Sequence, residues 1–221
     1  MSINLSVENL RVRSRSGRDL VQVDALDVST GTLLGITGPS GAGKSTLLLA
    51  LAGLQNNVTG RVTWGATDIT SVSKRKRSQF RARQIGLVFQ DFHLFEELTA
   101  KENAALVSMF RPKAERQGLR KAAAAILGRL GLDDDQRAVG TFSGGERQRV
   151  AVARALVTDP PVILADEPTA SLHRNAADTL ARDLHDICRR GGKTLIVVSH
   201  DDSVLGRMDR VLTLRDGRVE A

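Results

Sequence analysis

Residues 38–45 read G-P-S-G-A-G-K-S, that is Gly38, Pro39, Ser40, Gly41, Ala42, Gly43, Lys44 and Ser45. Glycines stand at both positions that a phosphate-binding loop requires, and a Lys-Ser pair closes the pattern. Glycine lets the backbone turn tightly enough for consecutive N–H groups to face phosphate oxygens, and the helix that follows offers them its positive N-terminal end. Lys44 would reach the β- and γ-phosphates, the Ser45 hydroxyl would hold magnesium, and Thr46 would continue the cradle into the helix. An apolar run, Leu33 to Thr37, precedes the loop, and a helix-forming run, Thr46 to Ala52, follows it. The competing reading, a glycine-rich turn before a buried helix, is disfavoured by this strand-loop-helix setting.

Working outward, Ser143 to Arg149 read S-G-G-E-R-Q-R. Ser143, Gly144 and Gly145 open a helix there, so their N–H groups form a second place for an anion to sit. A capped helix with a glycine-rich start explains the local fold equally well. Val162 to Ala165 is a short apolar run ending in Asp166-Glu167, after a break at Pro160-Pro161. Asp166 would hold the magnesium shell and Glu167 would polarise an attacking water. Gln90 follows a second apolar run, Ile85 to Phe89, and His200 a third, Leu195 to Ser199. Alone, paired carboxylates or a histidine at a strand end are more often solvated than catalytic.

In this order the motifs resemble the ATP-binding cassette (ABC) ATPases. The signature of that family is matched as Phe142-Ser143-Gly144-Gly145-Glu146, with Phe where Leu is usual and Glu where Gln is frequent. The resemblance implies ATP and Mg2+ as cofactors, Gln90 as a sensor of magnesium and water, and His200 as a contact to the γ-phosphate. It implies Glu167, His200 and Gln90 as catalytic groups, and Ser45, Gln90 and Asp166 around the metal. Ser143, Gly144, Gly145 and Glu146 would grip ATP held by a second copy of the chain, in a head-to-tail dimer.

The implied fold is an α/β P-loop NTPase of ABC type: a mixed central sheet with an antiparallel β-subdomain and an inserted helical subdomain. One domain would cover 1–221, with 1–90 and 158–221 as catalytic core and β-subdomain, and 91–157 as the helical subdomain carrying the signature. Arg83 to Gln90, Ser143 to Ala151, Leu164 to Thr169 and Leu214 to Arg218 are phrases similar to the ATPases of lipoprotein-releasing and macrolide-export transporters and of the related cell-division system. The partner implied is an integral membrane permease that holds the chain at the cytoplasmic face of the inner membrane and is driven by closure of the dimer. A regulatory clamp on a division-type membrane partner fits the same residues, as a second reading. A nucleic-acid ABC ATPase is disfavoured: the chain has one cassette, no room for a long coiled-coil insertion, and no direct nucleic-acid contact is expected. Two departures stand out. Arg13-Ser14-Arg15 occupies the place where the family stacks an aromatic ring on adenine, so either base recognition is loose or an arginine plane replaces the ring. His173 stands where relatives end the loop after Glu167 in aspartate, which puts coupling between the two sites in question.

Composition agrees with this reading. A chain of 221 residues is long enough to bury one large α/β core. Its one cysteine, Cys188, excludes an internal disulfide framework and suits a reducing compartment. Met1 to Leu10 carry Glu8 and no apolar core of the signal-peptide kind, and no apolar run approaches the ~20 residues of a membrane helix. A formal net charge of +7 concentrates at Lys74-Arg75-Lys76-Arg77, with Arg81 and Arg83 beyond. That cluster reads as an exposed helix start near anionic headgroups, with a solvated face as the alternative. Further elements expected are antiparallel strands over Ile3 to Val12 and Leu20 to Val28 and an edge strand over Arg61 to Trp64 after a turn at Thr59-Gly60. Helices are expected over Ala100 to Met109, Lys113 to Leu130 and Asn175 to Arg189, a short helix after His200, and a final hairpin around Asp216-Gly217.

Overall fold

The computed structural model describes residues 3–132 and 136–220. Strands β1 (Leu5–Arg13) and β2 (Asp19–Val28) alternate buried and exposed residues and pair antiparallel, as period-two patterning requires. β3 (Leu33–Thr37) runs into the phosphate-binding loop and α1 (Lys44–Leu51). β4 (Val58–Trp64), β5 (Thr67–Asp68), the basic helix α2 (Lys74–Gln84) and β6 (Ile85–Val88) follow. The helical stretch comprises α3 (Ala100–Ala104), α4 (Lys113–Arg129) and α5 (Gly144–Leu156). The chain closes with β7 (Val162–Asp166), α6 (Arg174–Arg190), β8 (Thr194–Val198), α7 (Asp202–Leu205), β9 (Arg210–Arg215) and β10 (Arg218–Val219).

Ten strands form one mixed sheet in the order β5-β4-β1-β2-β10-β9-β3-β8-β7-β6. β9, β3, β8, β7 and β6 run parallel, whereas β1, β2, β4 and β5 are antiparallel. β10 joins the halves by pairing antiparallel to β9 and parallel to β2. β7 and β8 are buried at every residue, because helices cover both faces of the parallel half; this is why they read as unbroken apolar runs. One buried cluster unites the antiparallel strands with α1, and the other unites α3 to α6 with sheet residues such as Val88, Ile163 and Val197. Segment 91–157 therefore shares its core with the parallel strands.

Three expectations are corrected. Residues 58–64 form one strand that passes straight through Thr59-Gly60, and it lies inside the sheet between β1 and β5. Gly60, at φ 84°, marks a bulge opposite Asn9 where the register shifts; a Cβ there would lie 2.2 Å from the Asn9 carbonyl oxygen. The expected helix 100–109 is a short α3 followed by a 3-10 segment, Leu106–Phe110. Pro112 forces Arg111 into extended backbone, so the preceding turn tightens before it ends. The basic cluster is only partly a free face: Arg81 donates to the Ala52 and Gly53 carbonyls just past α1, and Arg77 to those of Thr70 and Val72.

Candidate functional site

The parallel strands β3, β8, β7 and β6 are neighbours, and their carboxyl ends deliver the phosphate-binding loop, His200, Asp166-Glu167 and Gln90 in that spatial order. Ligands of open α/β sheets bind at this edge. A cavity of about 500 Å3 lies there, lined by loop residues from Gly38 and Ser40 to Thr46 together with Gln90, Glu167, Ala170 and His200. The size suits a small-molecule ligand.

The loop is held open by its surroundings. Gly38 has φ 139°, and a Cβ on it would sit 2.0 Å from the Leu214 carbonyl oxygen of β9, so only glycine fits. No side chain caps the N-terminus of α1 and no acidic residue stands in its first turn. Its C-terminal end is satisfied, with Trp64 Nε1 donating to the Leu51 carbonyl at 2.9 Å and Arg81 to the two carbonyls after it. The helix thus turns unpaired N–H groups and its positive end toward the cavity, which is a site for an anion. Lys44 Nζ donates to the carbonyls of Gly38 (2.7 Å) and Pro39 (2.9 Å), within the loop it would leave to meet a phosphate.

Ser45 Oγ donates to Asp166 Oδ1 at 3.0 Å. Burial pushes the Asp166 carboxyl up; the Ser45 bond opposes this, the Glu167 charge adds to it and the Lys44 charge counters it. A hydroxyl and a carboxylate are hard oxygen donors of the kind magnesium takes. Among the described residues no cluster of three or more His, Cys, Asp or Glu could hold a metal alone. An ion here would share its ligands with phosphate oxygens, which fits Mg2+ arriving with a nucleotide.

Glu167 leaves the end of β7 at φ 46°, a left-handed backbone that a non-glycine residue rarely adopts, and its N–H donates to the Val198 carbonyl at 2.9 Å. This strained turn sends the carboxylate across to His200. His200 Nδ1 lies 3.0 Å from both carboxylate oxygens, with hydrogen-bond geometry toward Oε1 and an ion-pair contact to Oε2. A carboxylate that lines the cavity and is oriented by an imidazole is suited to accept a proton from a water bound beside it.

The signature residues lie elsewhere. Ser143 caps α5 in a reciprocal box: its N–H and Oγ donate to Glu146 Oε2 at 2.8 and 2.7 Å, and the Glu146 N–H returns to Ser143 Oγ. These bonds, with Arg137 adding to them, hold the Glu146 carboxyl below its usual range despite a smaller opposing effect of burial. Glu146 is thus engaged in capping its own helix, and Ser143, Gly144, Gly145 and Glu146 all lie outside the cavity of their own chain. Gly144 instead faces the turn after Glu167, with Ser171 O 3.4 Å from where a Cβ would be. The arginine expected to replace the adenine ring is also engaged: Arg13 Nε donates to Asp19 Oδ1 at 2.8 Å. His173 opens α6 without a side-chain capping bond.

Sequence reasoning missed Arg154. Its guanidinium, on α5, donates Nη2 to the Phe92 carbonyl at 2.7 Å and Nη1 to that of His93. The available signal was an arginine within the apolar run Val150 to Val157, since a charge in a buried helix face requires partners.

Comparison with known proteins gives concordant matches. The ABC transporter family profile matches residues 21–170. The lipoprotein-releasing system ATP-binding protein LolD of Oleidesulfovibrio alaskensis is 40% identical over 196 residues, covering 88% of this chain and 84% of that protein. The LolD of Porphyromonas gingivalis is 37% identical over 214 residues, 96% of this chain and 97% of that one. Among solved structures, the dimeric post-hydrolysis state of the ATP-binding cassette MJ0796 bound to ADP and Pi superposes with a TM-score of 0.86 at 32% identity, covering 98% of this chain and 97% of the other.

Proposed function

The chain belongs to the ABC transporter family and is an ATPase of that family; from this premise we propose that it drives a membrane permease of the lipoprotein-release or macrolide-export type by closing as a head-to-tail dimer over two Mg-ATP. The open N-terminal end of α1 and the loop N–H groups bind the triphosphate, and Lys44 swings from the loop carbonyls to the β- and γ-phosphates. Bound with ATP, magnesium supplies neutralisation of phosphate charge, and Ser45 and Asp166 are the residues that would hold it. Glu167 accepts the proton of the attacking water, while His200 fixes the orientation of its carboxylate.

The observation carrying this reading is the Glu167 carboxylate, oriented by His200, in the same cavity as Lys44 and the uncapped helix. The second half of each site is supplied by Ser143 to Gly145 of another copy, which explains why those residues lie outside the cavity of their own chain. Among the described residues no helix is long and apolar enough to cross a membrane, so attachment to the cytoplasmic face of the inner membrane runs through the permease. In the test, Glu167→Gln keeps the shape but loses the proton acceptor, and hydrolysis is expected to fall by roughly 10²–10⁴-fold. ATP binding is retained, and gel filtration with ATP shows a trapped dimer. A Glu167→Gln protein that turns over normally removes the general base from the scheme.

A further inference from the structure

We propose that Arg154 is a positioning residue that fixes the loop carrying Gln90 and ties it to the helix that begins at Ser143. Among the described residues, the backbone from Gln90 to Leu94 makes no hydrogen bond to other backbone. Its carbonyl bonds to protein come from one side chain, the Arg154 fork on Phe92 and His93. Arg154 sits between Ala153 and Ala155, both buried, and no carboxylate forms an ion pair with it among the described residues. Burial lowers its basicity, so the two carbonyls are what hold a charge withdrawn from water.

The geometry of the clamped segment is specific. His93 is held at φ 48°, and its ring meets that of Phe89 edge-on at 5.2 Å. Gln90 is therefore bounded on one side by Phe89, just past the end of β6, and on the other by the two clamped carbonyls, and it reaches the cavity between them. A planar fork can serve two successive carbonyls at once, whereas an ammonium is a single point with no fixed fork. Arg154 and Ser143 share α5, separated by about 16 Å at the rise of an α-helix. A rigid rod of that length makes movement of the Gln90 loop and movement of the Ser143 end one event. The inference rests on the proposed reading that Gln90 faces the reacting end of ATP.

The test is a double-variant cycle on the full chain, with steady-state hydrolysis, ATP affinity and amide hydrogen exchange as readouts. Gln90→Ala is measured first, and a drop in kcat of about tenfold or more is expected. Arg154→Met, which keeps the stem and removes the fork, is expected to lower kcat by about tenfold with the ATP KM changed less than about twofold. It also speeds amide exchange in the peptide 89–95 without nucleotide. Arg154→Lys, which retains the charge and is the variant least at risk of misfolding, restores part of the rate. In the Gln90→Ala background, Arg154→Met adds less than about twofold, because both variants disable one device. If Gln90→Ala hydrolyses like the parent, the reading of the site fails. If Gln90→Ala is impaired but Arg154→Lys and Arg154→Met match the parent, or if the losses multiply in the double variant, the positioning role is overturned.

Discussion

Asp166 illustrates how a single side chain at this site trades stability for binding. Its folded-state carboxyl is raised by burial, so the ionised form is disfavoured in the nucleotide-free protein at every pH above the ordinary carboxylate range. Below that range the group is protonated folded or unfolded and the penalty disappears. Asp166→Asn can keep an oxygen toward Ser45 and carries no charge. It should melt higher than the parent at pH 7, by roughly 2–4 °C per kcal/mol relieved, with the gain shrinking as pH falls into the carboxylate range. The same variant should lose the upward shift that Mg-ATP gives the parent. A lower or unchanged melting temperature at pH 7 would contradict the sign. The expected base end of the nucleotide has the opposite character, since no aromatic ring stands where the family stacks adenine. Leu20 O would lie 2.8 Å from a Cβ on Gly43, which sets the β1–β2 connection beside the loop; residues 14–18 contain no ring, and Arg13 is occupied by Asp19. With a stack worth roughly 1–3 kcal/mol missing, ATP and GTP should bind within about fivefold of each other. A strong ATP preference in calorimetry that survives Arg13→Ala and Arg15→Ala would show that another group recognises adenine.

At the scale of elements, α5 begins with a carboxylate already seated on its N-terminus. The Glu146 carboxyl is held ionised by Ser143 and Arg137, so in the proposed dimer a γ-phosphate from another copy would meet a negative charge beside the N–H groups of Gly144 and Gly145. Glu146→Gln preserves an acceptor for the capping box and removes that charge. ATP-driven dimerisation should tighten by about fivefold, corresponding to about 1 kcal/mol, most clearly at low salt. Sedimentation of the parent and Glu146→Gln in a Glu167→Gln background measures this, and equal dimer constants would show that the carboxylate swings clear before contact. The elements also show what a sequence can disclose. Strands of the parallel half, the hairpin at Asp216-Gly217 and the loop residues were readable because periodicity, turn chemistry and motif spacing are local. The Gly60 bulge was misread as a turn since glycine marks both, and only the partner strand, with Asn9 at φ 49°, separates them. Pairings such as Glu167 with His200 or Arg154 with the Gln90 loop depend on strand order, which no local pattern encodes. Capping and anion binding call on the same backbone groups, so the pattern Ser143 to Glu146 announces the helix start and the anion site together.

Across the whole molecule, the cluster that runs from α4 through α5 into β7 and β8 leaves no seam at the limits of segment 91–157. Calorimetry should therefore show one cooperative transition for the nucleotide-free chain, shifted upward by ligand as RT ln(1 + [L]/Kd) requires, about 2.7 kcal/mol at a hundredfold excess over Kd. Two resolved transitions would mean that the helical segment unfolds by itself. The position of β9 has a consequence for a ribosome making this protein. Leu214 is the wall against which Gly38 is shaped, and Gly217 N–H secures the Ala42 carbonyl at 3.1 Å, yet both are translated long after the loop they support. A nascent chain that has emerged as far as His200 already contains the lysine, both carboxylates and the histidine, but the loop has no backing. Because domains form as units during synthesis, the loop is expected to take its phosphate-binding shape only after β9 and β10 have paired with β3 and β2. A chain cut before Leu214 would carry every reactive group of the site and lack the backbone that shapes the loop holding its phosphates.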